Sequence, residues 1–142
     1  MIPIFKLLKR RLHTMKIKIN NREYTLAFGF DFLDYLNKNN SMMVEVDGKN
    51  VSTGLGGASL LGNTLANKLP STLKLIIKAA TAHSDFKPSN KDLDEFVNSL
   101  IKVETDDDGN VTYDESEYNN LFDEVLEELK KQPLVLKEMG LI

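Results

Sequence analysis

From Met15 to Phe28 apolar and polar residues alternate, and after Phe28 the apolar residues recur at spacings of three and four. A chain with that pattern begins as extended strands and continues as helices, because a period of two builds one face of a strand and a period of 3.6 builds one face of a helix. Met15-Lys-Ile-Lys-Ile-Asn and Glu23-Tyr-Thr-Leu-Ala-Phe28 flank Asn20-Asn21. Asn tolerates the positive φ of a two-residue turn, so the segment is predicted as a β-hairpin. Phe28, Phe32, Leu33 and Leu36 predict a first helix over 30–39. Met43-Val-Glu-Val46, the turn signal Asp47-Gly48 and Asn50-Val51 predict a second hairpin.

Four further helical stretches follow. Leu61, Leu65 and Leu69 predict a helix over 58–68 ended by Pro70, after a connection loosened by Gly54, Gly56 and Gly57. Ser71 or Thr72 is expected to cap the next helix, which is apolar around most of its circumference (Leu73, Leu75, Ile76, Ile77, Ala79, Ala80, Ala82) and is therefore expected at the centre. Ser89 and Asp92 resemble a capping box ahead of the stripe Leu93, Phe96, Val97, Leu100 and Ile101. After an acidic loop, Asp114 and Glu117 are expected to cap a last long helix with the stripe Tyr118, Leu121, Phe122, Val125, Leu126 and Leu129. It should close at Lys130-Lys131, cations suited to a helix C-terminus, with Pro133 as its stop. The fold class is α+β: a small N-terminal antiparallel β-hairpin sheet followed by a bundle of about five helices. One domain over 15–131 is expected, with 132–142 as a tail or short helix.

Composition narrows what such a fold can do. With 42% hydrophobic and 27% charged residues, 142 residues suffice for one well-buried domain and not for two. Charges interrupt every apolar run before the roughly 18 residues that a membrane-spanning helix needs, so no membrane role is expected. No cysteine is present, which excludes disulfides, thiolate zinc sites and a cysteine nucleophile and fits a cytosolic protein. The net charge of -3 conceals an asymmetry: residues 1–22 carry Lys6, Lys9, Arg10, Arg11, Lys16, Lys18 and Arg22 and no acid, whereas 103–129 carry eleven acids and no Lys or Arg. That acidic half argues against nucleic-acid binding.

Residues 1–14, MIPIFKLLKRRLHT, are expected to be a leader outside the fold. Their charges follow the apolar run and no small-residue cleavage site precedes Met15, which argues against a signal peptide. Lys9-Arg10-Arg11 can be encoded by a ribosome-binding sequence, with Met15 as the start codon. The intact mass of the product of the native gene decides this.

Few residues promise chemistry. The strongest pattern is Glu104-Thr-Asp106-Asp-Asp108-Gly109-Asn-Val111-Thr112-Tyr-Asp-Glu115, which matches the spacing of a calcium-binding EF-hand loop: oxygen donors Glu104, Asp106, Asp108 and Thr112, a Gly for the sharp turn and a closing bidentate Glu115. Glu in the first position misplaces its oxygen, and Ser116, Asn119 and Asn120 make the following helix polar, so a solvated Asp-Gly turn is favoured and no cofactor is expected. Gly57-Ala-Ser-Leu-Leu-Gly62-Asn63-Thr64 echoes a phosphate-binding loop but has Asn63 where Lys is needed, and Gly54-Leu-Gly56-Gly57 lacks the third glycine of a dinucleotide fingerprint. His83 reads as a helix C-terminal cation, and Ser84-Asp85 beside it has no nucleophile-elbow context. No enzyme is expected. The stripes of the last two helices are most simply core. The alternative is a partner surface made of Tyr118, Leu121, Phe122, Val125, Leu126, Leu129, Leu134 and Leu136.

The order of elements carries a resemblance. The run from Met15 to Phe30, the Phe32-Leu-Asp-Tyr-Leu36 of the first helix, the Gly54-Leu55-Gly56 break, Ala79-Ala-Thr-Ala82 and the closing Leu121-Phe-Asp-Glu-Val-Leu-Glu-Glu-Leu129 resemble the tail assembly chaperones of long-tailed phages and prophages of Gram-positive bacteria. The match spans Met15 to Lys131, with the leader and the acidic loop as departures. The resemblance implies a non-enzymatic factor that binds the tape-measure protein in the host bacterial cytoplasm while tail-tube subunits polymerise. It further implies a protein that self-associates, is absent from the mature virion, and in many relatives has a longer frameshifted form.

Overall fold

The computed structural model describes residues 14–40, 43–52 and 56–142. The leader expected over 1–14 lies outside these residues, apart from Thr14, which pairs with Ala27. Three separate antiparallel hairpins and six α-helices make up the described chain.

Strands β1 (Thr14–Ile19) and β2 (Arg22–Ala27) form the first hairpin, in which Met15 faces Leu26 and Ile17 faces Tyr24. Directly paired residues share a face, so Ile17, Ile19, Tyr24 and Leu26 are buried together, while Lys16 and Glu23 form an exposed ion pair of 3.4 Å on the other face. Asn20 and Asn21 have φ of 50° and 63°, the left-handed pair that the tight turn demands.

Helix α1 (Phe30–Asn39) buries Phe32, Leu33 and Leu36, with Phe28 edge-on to Phe32 at 5.3 Å between ring centroids. The second hairpin pairs β3 (Met43–Val46) with β4 (Lys49–Ser52). Helix α2 spans Gly57–Thr64 and is shorter than the expected 58–68: a 3-10 turn takes Leu65–Asn67, Lys68 is left-handed at φ 48°, and Leu69 is exposed. The reason is Pro70, which forces the residue before it into extended backbone and then serves as the first residue of α3 (Pro70–Ala80). Neither Ser71 nor Thr72 caps α3, whose N-cap is Leu69. As expected, α3 is central, with Thr72, Leu73, Ile76, Ile77, Ala79 and Ala80 all buried.

Helix α4 (Asn90–Ser99) opens on the expected cap: Ser89 Oγ accepts from the Asp92 amide at 3.1 Å. The segment expected as an acidic loop is a third hairpin, β5 (Lys102–Thr105) with β6 (Val111–Asp114). Helix α5 (Ser116–Lys130) follows, and its cap differs from expectation: Asp114 accepts from the Ser116 amide at 3.0 Å and hydroxyl at 2.7 Å, while Glu117 pairs with Lys102 instead. Pro133 does not merely stop α5 but opens α6 (Pro133–Glu138), which buries Val135 and, just beyond it, Met139.

Two glycines set how closely the helices approach. A Cβ on Gly57 would collide with the Leu36 carbonyl at the end of α1, and one on Gly62 with the Met139 carbonyl after α6. The α1–α2 contact is further tied by Asn37 Oδ1, which accepts from the Ala58 amide at 3.2 Å, and by Asn40 Nδ2, which donates to the Gly57 carbonyl at 3.1 Å.

Candidate protein-binding surface

Among the described residues, the exposed apolar side chains Val103, Val111 and Tyr113 fall together on the third hairpin. Val103 pairs with Tyr113 and Thr105 with Val111, which puts Val103, Val111 and Tyr113 on one face. Nothing among the described residues covers that face: Val103 is 63% and Tyr113 67% exposed. An apolar strand face left open beside a groove is a candidate interaction surface. Val103 and Tyr113 form one wall of a groove of about 590 Å3, whose other walls are Pro70 and Lys74 of α3, Val97 and Asn98 of α4, Ile101, and Glu115 and Tyr118 at the start of α5.

Several interactions fix this groove. On the opposite face of the hairpin Lys102 reaches Glu117 of α5 at 3.0 Å, and the Glu117 carboxylate raises the Lys102 pKa, first by direct hydrogen bonding and then by charge attraction. Asp114 is held below the usual carboxylate range, chiefly by the Ser116 hydroxyl and then by its amide. Lys74 of α3 and Asp94 of α4 pair along the lining. The Tyr118 hydroxyl donates to the Lys68 carbonyl, and burial, followed by the nearby Glu115 charge, raises its pKa. Lys68 Nζ also reaches Asp123 of α5 at 3.0 Å.

The turn of the hairpin is built by Asp106. Its carboxylate accepts from the amides of Asp108 (3.0 Å) and Asn110 (2.7 Å) and from Asn110 Nδ2 (3.2 Å), which lowers its pKa, the Asn110 amide contributing most. The EF-hand alternative therefore meets a different geometry. Glu104 and Thr112 are cross-strand partners, Asp106 is consumed by its own turn, and Glu115 stands at the far end of β6 beside α5. Extended strands, not helices, flank Asp108 and Gly109, and among the described residues no group of three or more His, Asp or Glu is placed to hold a metal ion.

The residues considered as a partner surface mostly face inward. Tyr118, Leu121, Phe122, Val125 and Leu129 are buried and Leu126 and Leu136 are partly buried against the core. Of that set only Leu134 is exposed. In the isolated chain α5 packs this stripe against the body of the protein, the core arrangement expected first for it. Val103, Val111 and Tyr113, the residues that are open, were marked in the sequence only by a two-residue alternation either side of Asp108-Gly109. His83 and Ser84-Asp85 lie in the turn after α3, where Ser84 Oγ accepts from the Phe86 amide at 3.1 Å. No helix among the described residues is long and apolar enough to cross a membrane.

A family model described as phage tail assembly chaperone protein, TAC, matches residues 16–140. No curated protein and no solved structure gives a significant match. The family match takes in the hairpins, all six α-helices and the groove, and on that extent the chain belongs to the phage tail assembly chaperone family.

Proposed function

We propose that this protein binds the tape-measure protein and shields its apolar stretches while tail-tube subunits assemble around it, with no bond made or broken. The supporting observation is the uncovered apolar face of the β5–β6 hairpin beside a groove, in a chain of this family. A long apolar helical client stays soluble when many weakly bound copies cover it, because binding only the exposed form shifts the equilibrium by mass action. The same reading carries contacts with the tail-tube protein and between copies of this chain, action in the host bacterial cytoplasm, and release before the virion matures. It holds for a phage or an integrated prophage alike.

Co-expression with a fragment of the tape-measure protein encoded beside it tests the proposal. Increased solubility of that fragment and its retention on the tagged chaperone are expected. A fragment that stays insoluble at any ratio of the two chains sinks it.

A further inference from the structure

The groove carries more information than its apolar wall. Residues 102–115 hold six acids (Glu104, Asp106, Asp107, Asp108, Asp114 and Glu115) against Lys102, and that lysine is already engaged by Glu117. Among the described residues Glu104, Asp107, Asp108 and Glu115 make no ion pair, and Glu115 is part of the groove lining. The one cation in the lining, Lys74, is paired with Asp94, so it offers little to an incoming anion. An apolar segment approaching this groove therefore meets a negative field whose internal cations are spent.

Resting on the assembly-chaperone reading, we infer that the groove takes a cationic amphipathic helix of the client. Its apolar side chains enter against Val97, Ile101, Val103 and Tyr113, and its Lys or Arg residues lie over Glu115 and the turn carboxylates Asp107 and Asp108, Glu104 and Asp114 being on the opposite face of the hairpin. The apolar contacts supply affinity, with Tyr113 as a rigid anchor that loses little side-chain entropy on binding. The charges supply choice of segment: opposite potentials speed encounter, and an acidic helix of equal apolarity is repelled. The hairpin suits this role because its turn is fixed by Asp106 and its base by Lys102–Glu117, so both walls exist before the client arrives.

Two probes against the full chain test this. The first is the tape-measure fragment itself, with the double variant V103S/Y113S and the neutralised variant D107N/D108N/E115Q. All five positions are exposed, and thermal melting is expected to stay close to wild type. Each variant should weaken binding about tenfold, the loss in the neutralised variant shrinking as salt rises to about 0.5 M. If wild type holds the fragment and both variants hold it equally well at every salt concentration, the groove assignment is overturned and the assembly-chaperone reading stands. If wild type does not bind the fragment, that reading fails, and the second probe still decides the groove. This is a pair of synthetic amphipathic helices with one Leu stripe and either Lys or Glu on the polar face. Preference for the Lys peptide, lost in V103S/Y113S, supports the inference; equal binding of both peptides overturns it.

Discussion

The hydroxyl of Tyr118, in the first turn of α5, donates its hydrogen bond to the carbonyl oxygen of Lys68, 50 residues earlier in the chain. Lys68 is the left-handed residue that separates the 3-10 turn from α3. The bond therefore ties the start of the last long helix to the corner from which the central helix departs, and its ring forms part of the groove. Tyr118→Phe keeps the ring and its tilted contact with Phe122 but leaves that carbonyl without its partner. A loss of about 1–2 kcal/mol is expected in urea denaturation at neutral pH.

The raised Tyr118 pKa gives the same variant a second signature. Between the ordinary tyrosine value of about 10 and the raised one, the folded chain holds the phenolic proton that the unfolded chain releases. This contribution is complete below pH 10 and is lost as pH rises through the raised value. The stability gap between wild type and Tyr118→Phe should narrow on going from pH 9 to pH 11, and a constant gap would contradict the assignment.

Acid acts on the hairpin through Asp106 and Asp114, both held below the usual carboxylate range by hydrogen-bond donors. A lowered folded pKa adds stability that is present above the unfolded value and is lost as pH falls through the folded one. Cross-strand NMR contacts between Val103 and Tyr113 should persist at pH 5 and fade only as pH falls below the ordinary carboxylate range. In Asp106→Asn they should be weaker at pH 5 and change less with acid.

Close helix approach makes Gly62 intolerant of even one added carbon. Gly62→Ala drives a Cβ into the Met139 carbonyl, a backbone group that cannot swing aside. A cost of about 1–3 kcal/mol or more is expected from calorimetric melting, although alanine is the better helix former.

Leu129 and Leu134 separate core from surface at the C-terminal end. Leu129 is 1% exposed and Leu134 67%. Leu129→Ala should cost about 2–5 kcal/mol and Leu134→Ser within about 0.5 kcal/mol. Equal costs would show that α6 packs differently from the arrangement described above.

Local elements were legible because each is written in a short stretch of chain. The Asn20-Asn21 turn, the stripe of α1, the buried circumference of α3 and the Ser89 cap need only neighbours within four residues. Prolines were harder to interpret: Pro70 and Pro133 each look like a stop, yet the same missing N–H that ends one helix suits the first position of the next. The β5–β6 hairpin was obscured because its strands are four residues long and its turn acids coincide with calcium-ligand spacing. The glycines of the second helix carry no motif chemistry, and only the approach of α1 and α6 explains them.

Periodicity alone thus determined the first two hairpins and the approximate places of the helices, which helix is central, and that the chain is α+β, since these follow from local steric preference and the face each element must bury. Which apolar stripe remains open was decided by tertiary structure. The stripe of α5 is plain along the chain and that of the third hairpin short and masked by its acids, yet α5 finds partners in the core while Val103 and Tyr113 do not, because burial depends on what the rest of the molecule brings to each face.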